Sequence, residues 1–296
     1  MRIVSLVPSA TEMLFALGLG DDVVAITHEC DYPPEARELP KVTRDVLPAG
    51  LSAAQIDAAV KERVLSGQSI YELDTAALAS LGPDLIVTQA LCAVCAVSYD
   101  DVRAIAEELD SQPRVIALDP HTLGEVLSDA RTLAEATDRR DAAVSLVREA
   151  AGRIDRVRLR VRGHRRPRVV ALEWLDPPFT AGHWVPQMIE FAGGEDLLGF
   201  AGERSEQRSW EEVIATQPDI AVLMPCGYDA GIAHREAEMH RDELAALGAG
   251  EVVAVDASAY FSRPGPRILD GLELLASIIH PELFPERPAE VLTVEL

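Results

Sequence analysis

Pro83-Asp84-Leu85-Ile86-Val87-Thr88-Gln89 and Pro218-Asp219-Ile220-Ala221-Val222-Leu223-Met224-Pro225-Cys226 are the same phrase, written once in each half of the chain. A Pro-Asp turn signal leads into a short, mostly apolar run, the pattern of a strand buried on both faces. The first copy is followed by Leu91-Cys92-Ala93-Val94-Cys95, and the second closes on Cys226. Cys30 follows a third such run, Val23-Val24-Ala25-Ile26-Thr27-His28-Glu29. All four cysteines therefore come where a strand ends. In parallel sheets that is the carboxyl edge, where open α/β folds bind ligands.

Outward from these runs the order alternates. Arg2–Leu6 reads as a strand and Val7-Pro8-Ser9-Ala10-Thr11-Glu12 as the start of a helix. Ser9 and Glu12 have the spacing of a capping box, and Gly18 and Gly20 mark the helix end. Ala53–Val64 and Tyr99–Leu109 carry helical patterns, and Arg114-Val115-Ile116-Ala117-Leu118-Asp119-Pro120 reads as a fourth strand. Buried strands alternating with helices predict a parallel sheet covered on both faces. From Asp138 to Gly163 there is no proline, and Ala143, Val147, Ala150, Ile154, Val157 and Val161 lay one apolar stripe along one long helix. Beyond it Arg168–Trp174, Ile220–Met224 and Glu251–Asp256 repeat the strand pattern, with the last closing the sheet. Val185–Ala192 and Leu269–Ile279 repeat the helical one. The expected fold is α/β: two Rossmann-like lobes with parallel sheets, residues 1–137 and 167–296, joined by a stiff helix over 138–166. A ligand cleft is expected between the lobes.

The 296 residues are 48% hydrophobic and 26% charged, which is globular composition. The net charge of −22 argues against nucleic acid and anionic lipid as partners. Nine arginines gather between Arg148 and Arg168 without interleaved aromatics, which reads as a solvated helix face. No apolar window is long enough for a membrane span. The first strand begins right after Met1 without a signal-like segment, so the expected location is the cytoplasm and the expected state a monomer. Neither Gly18-Leu19-Gly20 nor Ala192-Gly193-Gly194 follows a strand, as a dinucleotide fingerprint must. No Gly-x-Ser-x-Gly elbow and no nucleophilic triad is present.

The cysteines are the sharpest chemical signal. Thiolates suit soft and borderline metals, and Cys30, Cys92, Cys95 and Cys226 are enough to close a tetrahedral site or hold a cluster. An iron–sulfur cluster is favoured over zinc, because zinc sites usually use two close-spaced pairs. A Cys92/Cys95 redox pair and plain packing are the other readings. His28 and Glu29 flank Cys30 on a polar loop. Glu173, Trp174 and Trp184 fall on the cleft side of the second lobe, where an aromatic wall suits a flat macrocycle or chelate. Tyr228, and Tyr260 with Arg263 and Arg267, are candidate contacts to an acidic ligand. His234, Glu236, Glu238 and His240 stand at i,i+4 spacing, a pattern that reads as a solvated charged helix.

Ser5-Leu6-Val7-Pro8-Ser9-Ala10-Thr11-Glu12, the Pro-Asp-strand phrase in both lobes, the long helix, and Gly265-Pro266-Arg267 before the last helix together carry a resemblance. Over essentially its whole length the chain resembles the helical-backbone substrate-binding proteins of ABC importers, the receptors for vitamin B12, iron–siderophores and haem. It looks most like a signal-less, cobalamin-binding branch that has the His28-Glu29-Cys30-Asp31-Tyr32-Pro33 and Cys92-Ala93-Val94-Cys95-Ala96 phrases. The resemblance implies binding without catalysis and an ABC permease as partner. The reading that results is a non-enzymatic protein holding a small metal-containing ligand in the cleft through cysteines and aromatics. Two alternatives stand beside it, a cytosolic iron–sulfur redox protein or enzyme, and a plain cobalamin (corrinoid) receptor with structural cysteines.

Overall fold

The buried runs form strands and the amphipathic segments helices, in alternation. The computed structural model describes residues 1–66, 68–90 and 97–296. The elements in order are β1 (Ile3–Ser5), α1 (Pro8–Ala16), β2 (Val23–Ile26), β3 (Thr43–Asp45), α2 (Ala53–Leu65), β4 (Tyr71–Leu73), α3 (Thr75–Leu81), β5 (Leu85–Gln89), α4 (Tyr99–Glu108), β6 (Arg114–Leu118), α5 (Leu123–Thr137) and α6 (Arg140–Val161). They continue as β7 (Arg168–Leu175), β8 (Pro178–Thr180), α7 (Val185–Phe191), β9 (Glu195–Asp196), α8 (Trp210–Ala215), β10 (Ile220–Leu223), α9 (Ala230–Met239), α10 (Arg241–Ala246), β11 (Glu251–Val255), α11 (Ala257–Tyr260), α12 (Ile268–Ile279) and β12 (Val291–Thr293).

The chain divides into two compact units, residues 1–120 with 125–147, and residues 121–124 with 148–296. In the first, four parallel strands stand in the order β2-β1-β5-β6, with the first Pro-Asp phrase at the centre as β5. Val4, Leu6, Ala25 and Ile86 pack with Leu78 and Val102 into its core. A separate antiparallel pair, β3 with β4, carries the excursion before α3. In the second unit the order is β12-β11-β10-β7-β8, with β9 also on β7, and the second Pro-Asp phrase is central again as β10. Strands β7, β9, β10 and β11 run parallel, while β8 and β12 are antiparallel. Glu251–Val255 therefore does not close this sheet, as its sequence suggests. Val291–Thr293 pairs outside it, with Val253 opposite Thr293.

Two helix boundaries also differ from expectation. Helix α1 starts at Pro8 with Val7 as its N-cap and no side-chain cap bond. Proline fits the first helical position because it lacks the N–H that would go unsatisfied there. Ser9 thus falls inside the helix, and the Ser9–Glu12 capping box does not form; both side chains are buried. At the other end Leu19 N–H returns to Leu14 O across Gly18, whose φ of +74° only glycine adopts without strain. The long helix begins at Arg140, because Asp138 takes a left-handed φ of +58° and separates it from α5. Its 22 residues make a rod of about 33 Å. The unit boundary falls within this helix. In the second unit Arg153 anchors it to α12, with Nε and Nη2 on Glu273 at 2.9 and 2.7 Å and Nη2 on Asp270 at 2.6 Å.

One buried carboxyl gives the second unit a pH signature. Asp196 Oδ1 accepts from Leu198 and Gly199 N–H at 3.0 and 2.8 Å, while Oδ2 is buried without a hydrogen bond. Burial pushes its pKa up to about 6, against the lowering pull of those two backbone donors. A raised carboxyl pKa means that the folded state prefers the protonated form. Stability from this group is present below pH ~4 and is lost as pH rises towards ~6, by about 3 kcal/mol. Unfolding free energies of the parent and Asp196→Asn are thus expected to diverge by that amount between pH ~4 and ~7, with the parent losing ground. Parallel curves would contradict the burial argument.

Candidate functional site

The carboxyl edge of the first sheet gathers the polar ends of β1, β2 and β5. Ser5 and Thr11 are buried, and Thr11 Oγ1 lies 2.8 Å from Ser5 Oγ and 3.0 Å from Cys30 Sγ. Cys30 follows the turn after β2, as the sequence places it, but only 2% of it is exposed. Among the sequence candidates His28 is the most firmly held. Its backbone N–H donates to Thr43 Oγ1 at 3.0 Å, and its Nδ1 lies 2.7 Å from the same hydroxyl. Thr43 also meets Thr27 Oγ1 at 2.7 Å, and the Tyr71 ring meets the imidazole edge-on at 5.2 Å. His28 Nε2 is 3.3 Å from Glu29 Oε1 but out of line for a hydrogen bond. At the end of β5, Gln89 is buried with its Nε2 lacking a hydrogen-bond partner. Cys92 and Cys95 lie outside the described residues.

The corresponding edge of the second sheet is built from the ends of β7, β10 and β11. Cys226 N–H donates to Glu173 O at 3.0 Å, which carries the β7–β10 ladder past the strands themselves. Tyr228 O accepts from Ala257 and Ser258 N–H at 3.1 and 3.2 Å, which ties this loop to the start of α11. Trp174 and Tyr228 consequently meet, with ring centroids 5.5 Å apart and planes tilted by 50°. Trp174 Nε1–H donates to Asp176 O at 3.1 Å, which fixes the indole, and both rings are half-buried. Burial, and then the nearby Glu236 carboxylate, hold the Tyr228 phenol above its usual range. It stays a neutral donor at physiological pH. Cys226 is exposed beside it, and Glu173 is half-buried on the same edge.

Other candidates sit differently. Trp184 is 4% exposed and its Nε1–H donates to Phe261 O at 2.8 Å, so its indole packs the second unit rather than forming an open wall. Tyr260 ends α11, and Arg263 and Arg267 are half-buried on the segment leading into α12. The Glu236–His240 pair is turned inwards, not solvated. Its side chains are 10% and 15% exposed, His240 packs on Trp210 at 5.7 Å, and burial raises the Glu236 pKa. Among the described residues no group of three His, Cys, Asp or Glu side chains is arranged to hold a metal ion. Sequence reasoning missed Thr43, Tyr71 and Thr11, which orient His28 and Cys30. It also missed a His121–His183 ring contact at 5.5 Å. Only Gln89, polar at the end of an apolar run, carried a signal that could have been read.

The carboxyl edge of the first sheet thus carries a thiol and an imidazole, and that of the second an aromatic pair and a thiol, groups that contact ligands. The sequence model of the periplasmic binding protein family matches residues 3–258. The chain belongs to that family. As a periplasmic binding protein it is a non-catalytic substrate-binding protein of the ABC-importer type. It is 25% identical over 280 residues to the vitamin B12-binding protein of Vibrio cholerae, covering 94% of this chain and 88% of the relative. The crystal structure of the periplasmic vitamin B12 binding protein of Vibrio cholerae aligns with a TM-score of 0.68 at 23% identity, covering 95% and 96% of the two chains. The periplasmic haem binding protein of the same organism aligns at 0.71 and 19% identity, covering 95% and 99%. These two likenesses establish the fold: an α/β protein of two lobes, with a parallel sheet in the first and a largely parallel one in the second. None of its helices, among the described residues, is long and apolar enough to cross a membrane.

Proposed function

We propose that this periplasmic binding protein takes a corrinoid as its ligand and passes it to an ABC permease. The observation that carries the reading is the Trp174–Tyr228 pair on the carboxyl edge of the second sheet. Two tilted aromatic rings anchored by backbone contacts offer flat apolar area at little entropic cost, which suits a macrocycle. The neutral Tyr228 hydroxyl adds a donor for the amide or carboxyl rim of such a ligand. Relatives named as vitamin B12-binding proteins along almost the whole chain support corrinoid over other chelates.

Cys226 gives the proposal a specific chemistry. It is exposed on the same edge, and a thiolate is a soft donor. On aquocobalamin its sulfur would donate a lone pair to cobalt as the bound water leaves and the thiol proton passes to solvent. No change of oxidation state is needed. Anaerobic addition of aquocobalamin is expected to shift the visible bands of the corrin in the parent and not in Cys226→Ser, with both proteins retaining the corrinoid. Iron and sulfide analysis of the same anaerobic preparation tests the alternative, an iron–sulfur cluster ligated by Cys30, Cys92, Cys95 and Cys226. A broad band near ~400 nm with bound iron and sulfide would replace the corrinoid reading, and bound zinc would replace it with a structural clamp.

A further inference from the structure

We propose that a groove on the second unit, between the C-terminal half of α6 and residues 284–288, is a separate binding site for a phosphate-bearing molecule. The concavity measures about 520 Å³ and is lined by Arg156, Arg160 and Arg287, with Phe284 on its wall. That volume lies within the range of small-ligand sites.

The case rests on which arginines are already occupied. Of the nine between Arg148 and Arg168, Arg153 is bound by Asp270 and Glu273, and Arg165 by both oxygens of Asp219. Arg166 donates to Gly194 O, and Arg168 to Thr216 O and Gln217 O. Arg158 lies 4.7 Å over the Phe191 ring. Among the described residues, no carboxylate pairs with Arg156 or Arg160. The Arg160 guanidinium is held 4.8 Å over Phe284, which fixes its plane and leaves its N–H edge for a ligand. Arg287 keeps only a long contact of 3.7 Å to Glu251. Of the two acids on the groove, Glu273 is spent on Arg153, and Glu286 is exposed. Three guanidinium groups thus share one concavity in a chain whose net charge is −22. Planar guanidinium forks match phosphate oxygens, and several together favour a dianion or pyrophosphate over a single carboxylate.

Pyrophosphate, the probe, is titrated calorimetrically into the full chain at about 0.15 M salt, where diffuse surface attraction is screened. Saturable one-to-one binding is expected. Arg156→Gln with Arg287→Gln should weaken it about tenfold or more, as expected for two lost charge-assisted contacts. Arg148→Gln, exposed on the same helix but outside the groove, should leave it within about twofold. Co-sedimentation with vesicles of phosphatidylcholine and phosphatidylglycerol distinguishes the source of the phosphate. Vesicle binding lost in the double variant, without pyrophosphate binding, assigns the site to a lipid headgroup. Binding of neither probe, or an equal loss in Arg148→Gln, overturns the proposal. These exposed arginines make no core contacts, and an unchanged melting temperature verifies that the variants fold.

Discussion

Replacing Trp174 and Tyr228 together by alanine is expected to weaken corrinoid affinity about 100-fold or more while leaving the melting temperature nearly unchanged. Buried aromatic anchors dominate small interfaces, and truncating one typically costs about 2 kcal/mol or more. The two rings sit 5.5 Å apart, Trp174 on β7 and Tyr228 on the loop after β10, each held by its own backbone contacts, so their loss removes contact area without unlocking the strand ends. The singles should each cost about tenfold, and Tyr228→Phe less, because the ring stays and only the hydroxyl is lost. An unchanged affinity in the double variant would remove this edge from the binding surface.

Gly271→Ala is expected to cost the fold about 3 kcal/mol, despite alanine being the better helix former by about 1 kcal/mol. A Cβ at this buried position of α12 would stand 2.4 Å from Tyr260 O and 3.2 Å from Tyr260 C, with the Met188 methyl at 3.1 Å. Two of those three atoms are backbone and cannot swing aside. The substitution has to push α11 from α12, and α11 is the helix whose first N–H groups hold the Tyr228 loop. Gly152→Ala in α6 is the matching control. Its Cβ would meet only the Arg156 guanidinium at 3.7 Å, so the helix-propensity gain should appear undiminished. Denaturant midpoints that fall for Gly271→Ala and rise slightly for Gly152→Ala agree with this account. A rise in both would show that α11 gives way cheaply.

What could be read from the sequence follows from periodicity. Leu85–Gln89 and Ile220–Leu223 are buried on both faces, so their apolar runs announce central parallel strands, and both are central. Helix α6 was legible because its stripe persists for many turns, with Ala143, Ala150 and Val157 buried along it. Val291–Thr293 was not, because a three-residue, half-exposed edge strand lacks a periodic signature. The Ser9–Glu12 box failed because spacing alone does not say where a helix starts, and Pro8 decided that locally. For the site, sequence gave residue type and strand end but not depth. Cys30 and Cys226 look alike in the chain, yet one is buried beside Thr11 and the other exposed. Trp174 and Trp184 likewise part company, one on the edge and one inside. The partner that orients His28, Thr43, arrives on the separate β3–β4 pair, and nothing near His28 in the sequence points to it.

The most direct test of the central claim is a calorimetric titration of the intact protein with aquocobalamin, with haemin and a ferric siderophore titrated in parallel. The account predicts one corrinoid per chain with a Kd below about 1 μM, equivalent to about −8 kcal/mol, and at least tenfold weaker binding of the other two. No saturable corrinoid binding, or a clear preference for haemin, would contradict it.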